Sequence, residues 1–320
     1  MKINKIKRFL KKYNNFFISV HTSPEPDALG SELAFAYILK SLGKSYQIIN
    51  TDKPLPAYSF LPKINMIRHR PLHNKIGAAV ILDCATLSRI GQVKNFLDKS
   101  TPILNIDHHI SNSYFGDINI VDTQASSTSE IIYSLFKELK IKINKTVALL
   151  LYSGIAADTG FFRYSNTTSY AHKIAADLLK YKLDTSGIFQ NIYGNITLGE
   201  LAFINRALLG IKTDKKKKIA WLTITKDSLV KNNVKLDIVD YIFNYIRYIK
   251  DIQAVALFKE NLRERSVRVN LRSNGKVDVN KIAQKFKGGG HRTASGITFR
   301  NTSLKKAESL VIGFIQKQIS

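Results

Sequence analysis

The sequence predicts an α/β protein, with a parallel-sheet domain at the N-terminus and a smaller α/β domain after it. Over the first half of the chain, short apolar runs alternate with helical patterns, which is typical of a parallel sheet covered by helices. The pattern changes after about Asp184, where longer strand-like runs and a basic turn appear. The chain has 320 residues, a length that suits one large domain or two ordinary ones.

The first half of the chain begins with a helical pattern and then alternates strands with helices. Ile6, Phe9 and Leu10 recur at helical spacing, which predicts a surface helix. Short apolar runs are typical of buried parallel strands, and they occur at FFISV (16–20), YQIIN (46–50), AAVILD (78–83), PILNID (102–107) and INIVD (118–122). Gly43 ends the first of the following helices, and a capping box at 127–130 begins the second. The helices are predicted at 28–42, 127–140, 145–157 and 169–180.

The second half of the chain predicts a separate α/β unit. Its expected elements are a connector helix at 198–208, a hairpin around 213–218, a helix at 238–249, strands at 254–260 and 266–273, and a C-terminal helix. We therefore expect a first domain at 1–186, a connector helix and linker at 187–212, and a second domain at 213–320.

Charge and cysteine content restrict the class of protein. The formal net charge is +25 and the pI about 9.9, which favours polyanionic partners such as nucleic acid or nucleotides. The alternative is compositional, because an AT-rich genome also enriches a chain in Lys, Ile and Asn. The single cysteine, Cys84, excludes an internal disulfide framework and fits a reducing compartment, so a cytoplasmic location is expected. No apolar run is long enough to cross a bilayer, and no membrane partner is expected.

Carboxylates and histidines cluster after several of the predicted strands. The carboxyl ends of parallel strands meet at the edge of the sheet where ligands bind. Several carboxylates at that edge repel one another unless cations neutralise them. Carboxylates with a few imidazoles suit manganese or magnesium, and two metals that share a carboxylate are common in phosphate-ester hydrolysis. The clusters are His21, Glu25 and Asp27 after the first strand, Asp83 after the third, Asp107, His108 and His109 after the fourth, and Asp158 after a helix.

A glycine-rich stretch near the C-terminus suggests an anion-binding loop. Gly288, Gly289 and Gly290 let the backbone approach a ligand closely and direct N–H groups towards an anion. His291 follows directly, and Arg272 lies upstream.

Each of these features also has a purely structural interpretation. The loop at 21–27 resembles an ordinary turn, and a lone Asp after a strand often caps the next helix. The glycine run fits a turn between a helix and a strand, and the lysines at 215–218 fit a solvated hairpin tip. Cys84 fits a small buried hydrophobe that points away from Asp83, because side chains alternate along a strand. Only the combination of clusters favours a functional site.

Five segments carry a resemblance to a known family. HTSPEPDALGS, ILDCATLSRIG, NIDHHISN and GIAADTGFF, in that order, resemble the four motifs of the DHH phosphoesterase superfamily. GGGHRTASG, preceded by LRSNGKVDVNKIAQKF, resembles the DHH-associated C-terminal domain. The resemblance spans nearly the whole chain, and its length is most similar to the nanoRNase (oligoribonuclease) and pAp phosphatase group. It implies a DHH catalytic domain at 1–186, a substrate-binding domain at 213–320, and an active site in the cleft between them.

The resemblance also implies a site for two Mn²⁺ ions, with Mg²⁺ or Co²⁺ as alternatives. Asp83 would bridge the two ions. Glu25 stands where the family usually has Asp, and its extra methylene would shift or weaken one ion. By this resemblance the first ion is held by His21, Glu25 and Asp83, and the second by Asp27, Asp83, His108 and Asp158.

The remaining roles implied by the resemblance concern the substrate. Asp107 would orient a neighbouring histidine, and His109 would face the scissile phosphate and stabilise its developing charge. Arg89 is a further candidate for a substrate contact. The substrate's phosphate and terminal nucleotide would be held by Arg272, Ser273, Gly289, Gly290 and His291.

The function that these features favour is manganese-dependent hydrolysis of short RNA to mononucleotides, together with removal of the 3′-phosphate of pAp. The partners are then short RNA oligonucleotides and pAp, and a homodimer is compatible with the sequence. Three alternatives stay open. They are a phosphodiesterase for cyclic di-AMP or pApA, a RecJ-like single-strand exonuclease, and a basic nucleotide-binding protein whose metal site is impaired by Glu25.

Overall fold

A computed structural model gives the fold as two compact units, Met1–Asn195 and Ile196–Ser320. Their division lies inside the segment predicted as a connector, and the finer boundaries at 1–186, 187–212 and 213–320 stay predictions. Among the described residues, no helix is both long enough and apolar enough to span a bilayer. The structure describes residues 3–73, 75–194, 196–214, 216, 218–231, 238–246, 248–261 and 265–319.

The first unit contains the parallel sheet that the sequence predicts. Its six strands have the order β3-β2-β1-β4-β5-β6, and every described pairing is parallel. The two-residue strand β3 is too short to leave a pattern in the sequence. The strands are β1 Phe16–Ser19, β2 Tyr46–Ile49, β3 Ile67–Arg68, β4 Ala78–Leu82, β5 Ile103–Asp107 and β6 Ile118–Val121.

Five helices of the first unit lie within a few residues of where the sequence predicts them, and the short helix Thr185–Phe189 was not predicted. Only one of the two hydrogen bonds of the predicted capping box is present. The hydroxyl of Ser127 accepts the N–H of Glu130, but the carboxylate of Glu130 reaches one residue further back, to the N–H and Oγ of Ser126. The helices are α1 Ile3–Lys12, α2 Pro26–Ser41, α3 Thr128–Glu138, α4 Lys145–Asp158, α5 Ser169–Leu179 and α6 Thr185–Phe189, with 3₁₀ turns at Pro56–Tyr58, Ile64–Met66 and Leu87–Phe96.

Alternation along the strands separates two cores. Phe16 and Ile18 of β1 belong to the larger core, which lies under α1 to α5. Phe17 belongs to a smaller core on the opposite face, together with Ile90 of the Leu87–Phe96 segment. Cys84 also packs in the smaller core, as expected for a buried residue that follows Asp83 at the end of β4.

The second unit has a mixed sheet of order β11-β12-β10-β9-β8-β7. The predicted hairpin is confirmed by the antiparallel pairing of Lys212 with Trp221, although Lys215 and Lys217 lie outside the described residues. The glycine run forms a strand of a second hairpin, not a plain turn between a helix and a strand. The strands are β7 Lys212–Thr213, β8 Ile219–Ile224, β9 Ala254–Glu260, β10 Ser266–Ser273, β11 Gly289–His291 and β12 Ala294–Arg300.

Helices pack on both faces of this second sheet and form two cores. The helix predicted as a connector contributes Phe203 and Ile204 to one of them, so it is an integral part of the second unit. It begins with a reciprocal capping box between Thr197 and Glu200. The helices are α7 Leu198–Leu209, α8 Lys226–Lys231, α9 Ile238–Ile246, α10 Val279–Lys285 and α11 Leu304–Ile319.

Candidate metal centre

Five of the six predicted metal ligands converge at the carboxyl edge of the sheet in the first unit. His21 follows β1, Asp83 follows β4, and His108 follows β5. Asp27 lies in the first turn of α2, and Asp158 is the last residue of α4. Because all six strands run in the same direction, their carboxyl ends bring residues more than 130 positions apart in the sequence to one edge.

Asp83 lies at the centre of this cluster. Its Oδ2 is 3.3 Å from Nε2 of His21, and its Oδ1 is 3.6 Å from Nε2 of His108 and accepts the hydroxyl of Thr128 at 3.0 Å. Burial alone would raise the pKa of Asp83, but the hydrogen bond from His21 and the neighbouring imidazoles hold it well below its usual range. Asp83 is therefore ionised and has groups on both of its oxygen atoms, as a bridging ligand requires.

The backbone of Asp83 has a left-handed conformation, with φ of +53°. Among residues other than glycine, Asp and Asn tolerate this conformation best. The chain thus turns sharply at the end of β4 and directs a carboxylate, not an apolar side chain, into the cluster. Backbone conformation of this kind cannot be read from the run AAVILD.

Asp27 is held rigidly by the N-terminus of α3. Its Oδ2 accepts the N–H of Thr128 at 2.7 Å, and its Oδ1 accepts the N–H of Ser129 at 2.8 Å. Burial and the negative charge of Asp83 raise its pKa to about 6. A negative charge at this position therefore becomes more favourable when a cation is bound beside it.

His108 connects the central carboxylates to Asp158. Its Nε2 is 3.3 Å from Oδ2 of Asp158, and its ligand atom lies within 4.8 Å of those of Asp27 and Asp83. Burial, followed by the charges of Asp27, Asp83 and Glu25, raises the pKa of Asp158 well above its usual value. Three carboxylates and an imidazole in close proximity form a donor set that suits a divalent cation.

Glu25 lies at the margin of this cluster. It is the N-cap residue of α2, its side chain is exposed, and it makes no capping hydrogen bond to that helix. The described groups of potential ligand atoms do not include it, although its charge contributes to the raised pKa of Asp158. His21 is better oriented, because its Nδ1 lies 2.8 Å from the carbonyl oxygen of Thr22 and its Nε2 faces Asp83.

Asp107 and His109 form a second group beside Asp83. Nδ1 of His109 is 2.7 Å from Oδ1 of Asp107, and the three ligand atoms lie within 4.8 Å of one another. Burial would raise the pKa of Asp107, but the adjacent His109 lowers it below its usual value. The ionised carboxylate therefore accepts the Nδ1–H of His109 and fixes the orientation of its ring.

Three residues of the site could not be identified from the sequence patterns. Asn112 donates its Nδ2–H to Oδ2 of Asp107 at 2.6 Å, and Thr128 donates to Asp83. Gly154 faces Ser129 and Asp27 so closely that a Cβ would overlap the side chain of Ser129 and lie 2.9 Å from Oδ1 of Asp27. Asn112 and Gly154 lie inside the motifs NIDHHISN and GIAADTGFF. Their place in these motifs could therefore have identified them as site residues, whereas their residue type could not.

The residues expected to bind substrate lie mainly in the second unit. The guanidinium of Arg272 lies over the ring of Phe243, 5.2 Å from its centroid, and the hydroxyl of Ser273 donates to the carbonyl of Val277 at 2.6 Å. Both side chains thus have local structural contacts. Arg89, in the first unit, has an exposed side chain, and its carbonyl oxygen accepts the N–H of Thr22.

The glycine hairpin has a structural requirement of its own. Gly290 has φ of +144°, and a Cβ there would lie 2.5 Å from the carbonyl oxygen of Ala294. His291 pairs with Ala294 across the hairpin, and its carbonyl oxygen accepts the hydroxyl of Ser295. The backbone geometry therefore explains why glycine is needed at 290, and the role of Gly289, Gly290 and His291 in binding stays a prediction.

Comparison with known proteins supports the resemblance stated above. Over 296 residues the chain is 31% identical to the bifunctional oligoribonuclease and PAP phosphatase NrnA of Bacillus subtilis, with 90% of each chain covered. Residues 15–155 match the DHH family, N-terminal domain, and residues 216–317 match the DHHA1 domain. The chain belongs to the DHH family.

A second relative and one solved structure are also similar to this chain. A probable bifunctional oligoribonuclease and PAP phosphatase NrnA of Streptococcus mutans is 32% identical over 295 residues, with 90% of each chain covered. The crystal structure of an exopolyphosphatase-related protein from Bacteroides fragilis has a TM-score of 0.88, and the match covers 99% of this chain and 97% of that one. At 24% identity, that structure supports the DHH fold and not a particular activity.

The donor set described here fits the metal dependence of the DHH family. Asp27, Asp83 and His108 are buried, and the pKa values of Asp27 and Asp158 are raised first by burial and then by the negative charge of neighbouring carboxylates. A bound cation removes this repulsion. The cluster at the carboxyl edge of the first sheet is thus the candidate metal centre of this DHH protein.

Proposed function

We propose that this chain is a metal-dependent phosphoesterase that degrades short oligoribonucleotides to mononucleotides and removes the 3′-phosphate of pAp. The observation that carries the proposal is the convergence of Asp27, Asp83, His108 and Asp158 at one sheet edge. The substrates follow from the similarity to proteins named oligoribonuclease and PAP phosphatase, which extends over 90% of the chain.

We further propose that the centre holds two ions, with Mn²⁺ as the first choice and Mg²⁺ or Co²⁺ as alternatives. His21, Glu25 and Asp83 would hold one ion, and Asp27, Asp83, His108 and Asp158 the other. Such ions supply an acidified water molecule and neutralise charge on phosphate oxygens. The central position of Asp83, with histidines on both of its oxygen atoms, supports its role as the shared ligand.

The side chains around the centre have distinct tasks in this proposal. Asp107 accepts the Nδ1–H of His109 and holds the ring so that Nε2 is directed away from it. His109 then donates a hydrogen bond to a phosphate oxygen as negative charge develops there. Asp27 has both oxygen atoms fixed by backbone N–H groups, so it stays in place through the reaction.

The second unit supplies the groups that recognise the substrate. The guanidinium of Arg272 is a planar fork that matches a phosphate. His291 and the backbone of Gly289 and Gly290 would complete the binding of the terminal nucleotide, with Ser273 beside them. Arg89 is a further candidate. The active-site cleft between the units and a homodimeric assembly stay predictions.

A hydrolysis panel tests the proposed function. Labelled RNA from 2 to about 24 nucleotides, pAp, pApA and cyclic di-AMP would be incubated with the full chain and Mn²⁺, with Asp83→Asn as the control. Asn keeps the left-handed backbone of residue 83 but removes the charge. We expect rapid release of mononucleotides from the shortest RNAs, cleavage of pAp, and a loss of at least about 100-fold in the variant.

The other outcomes of this panel contradict the proposal in different ways. A preference for cyclic di-AMP or pApA would assign the chain to the turnover of signalling dinucleotides. Processive degradation of the 24-mer would indicate a RecJ-like exonuclease. The absence of any cleavage, with less than one metal ion bound per chain, would indicate a nucleotide-binding protein with a metal site impaired at Glu25.

A further inference from the structure

A cavity of about 350 Å³ lies at the opposite edge of the first unit. It is lined by Lys5, Arg8, Lys12 and Tyr13 from the N-terminal part of the chain, and by Pro102 and Asp117 from the sheet edge. Pro102 directly precedes β5, and Asp117 directly precedes β6. The cavity therefore lies at the amino ends of the strands, whereas the candidate metal centre lies at their carboxyl ends.

The two sites are separate within this unit. All described strands of the sheet run in the same direction, and β5 spans five residues, Ile103–Asp107. At about 3.3 Å per residue, this strand alone separates the two edges by roughly 15 Å. A ligand the size of one nucleotide cannot reach from one edge to the other.

Three of the five cations of helix α1 lie on the face of the helix that lines the cavity. Lys5, Arg8 and Lys12 are spaced by three and four residues, so they form a stripe about 10 Å long on one side of the helix. All three side chains are exposed, and none forms an ion pair in the part of the chain that the structure describes. The ammonium of Lys12 lies 5.0 Å from the centroid of the Tyr13 ring.

The single acid in the lining does not neutralise this face. Asp117 uses its Oδ2 to accept the N–H of Ile103 at 2.7 Å, which fixes it to the start of β5. Three cations thus face the cavity against one carboxylate that already has a backbone partner. An anion with several oxygen atoms suits such a lining, because guanidinium and ammonium groups bind phosphate strongly.

The apolar part of the same helix excludes a membrane surface as the partner. Ile6, Phe9 and Leu10 are almost fully buried in the core of the unit, so they are not available to enter a lipid layer. The accessible part of the cavity's apolar wall is instead supplied by Tyr13, which is only partly buried and packs edge-to-face on the buried ring of Phe9. A volume near 350 Å³ is at the lower end for small-molecule sites and suits a ligand with one ring system.

We propose that this cavity binds a nucleoside monophosphate, with the phosphate on Lys5, Arg8 and Lys12 and the sugar and base against the ring of Tyr13. The site is distinct from the candidate metal centre and does not depend on the proposed activity.

Equilibrium binding of AMP to the full chain tests this proposal. The measurement would use EDTA to exclude metal-dependent binding, and would compare the natural chain with Lys5→Ala/Arg8→Ala and Lys7→Ala/Lys11→Ala. The second pair removes the same charge from the same helix, at exposed positions outside the cavity lining. Binding elsewhere on the chain is common to all three proteins and cancels in the comparison.

We expect the first pair to lose one AMP site per chain, or to weaken it at least tenfold, and the second pair to retain it. We also expect adenosine not to compete and inorganic phosphate to compete more weakly than AMP. Equal losses in both pairs would overturn the proposal, because they would reflect general charge. Equal affinity for inorganic phosphate, or an affinity for single-stranded RNA that grows with its length, would overturn the assignment to a mononucleotide.

Discussion

Asn112 acts on His109 indirectly, through Asp107. Its side chain donates to Oδ2 of Asp107, while the other oxygen atom of that carboxylate accepts from His109. Asp107 is fully buried, so the loss of either hydrogen bond leaves a carboxylate oxygen without a partner in a place that water does not reach. Asn112 is therefore a positioning residue, although it is five positions from Asp107 in the sequence.

Replacement of this residue gives a specific prediction. We expect Asn112→Ala to lower kcat on a dinucleotide by about 10- to 100-fold with little change in KM, since partners of this kind orient catalytic groups. Steady-state kinetics at saturating Mn²⁺ measures both constants. Asn119→Ala is a matched control, because Asn119 also supports a loop by hydrogen bonds to Tyr114 and Gly116 but does not contact Asp107. Equal losses in both variants would indicate that the effect is on folding.

Helix α4 approaches the metal centre closely because it has glycine at its point of contact. Gly154 packs where a Cβ would overlap Ser129, which is one of the two residues that hold Asp27. Gly313 also lies in the middle of a helix, α11, but a Cβ there has no atom within 4 Å. Alanine substitution at these two positions therefore distinguishes the effect of helix propensity, at Gly313, from the effect of close packing at the site, at Gly154.

We expect opposite effects on stability from alanine at these two positions. Gly313→Ala should raise the free energy of unfolding by about 0.5–1 kcal/mol, because alanine favours the helix. Gly154→Ala should lower it by about 1–3 kcal/mol, because the added methyl group displaces the N-terminus of α3. Urea unfolding measures both changes. If Gly154→Ala were as stabilising as Gly313→Ala, the close packing of α4 against α3 would be wrong.

Elements were predictable to the extent that local patterns determine them. The buried strands β1, β4 and β5 lie where their apolar runs predict, because both faces of each strand are covered. The contacts of Asp27 were not predictable, since Thr128 and Ser129 are about a hundred residues away and meet it only through the fold. Glu130 shows the same limit locally, because its carboxylate binds Ser126, one residue outside the expected box.

The stability of the whole protein depends on the charges of the candidate metal centre. Three acidic side chains lie together there, and the pKa of Asp27 is raised to about 6, first by burial and then by Asp83. A carboxyl group whose pKa is higher in the folded protein than in the unfolded one favours folding at low pH. That stabilisation falls as the pH rises from about 4 through about 6. A bound cation should remove this loss, because it favours the ionised form.

Metal removal should therefore destabilise the protein in a pH-dependent manner. We expect Mn²⁺ to raise the unfolding temperature relative to EDTA at pH 7.5, and to have a smaller effect at pH 5.5, where protons compete for the ligands. At a hundred times the dissociation constant, the stabilisation is about 2.7 kcal/mol. Differential scanning calorimetry measures it. Asp83→Asn should abolish the response, and an equal response in that variant would place the ion elsewhere.

The burial of Cys84 has a practical consequence for spectroscopy. It is the single cysteine of the chain and is fully enclosed, and burial raises the pKa of its thiol well above the usual value. A thiol in this state reacts slowly with labelling reagents, since the thiolate is the reactive form. A cysteine introduced on the surface of either unit would therefore be labelled selectively, without removal of the native one.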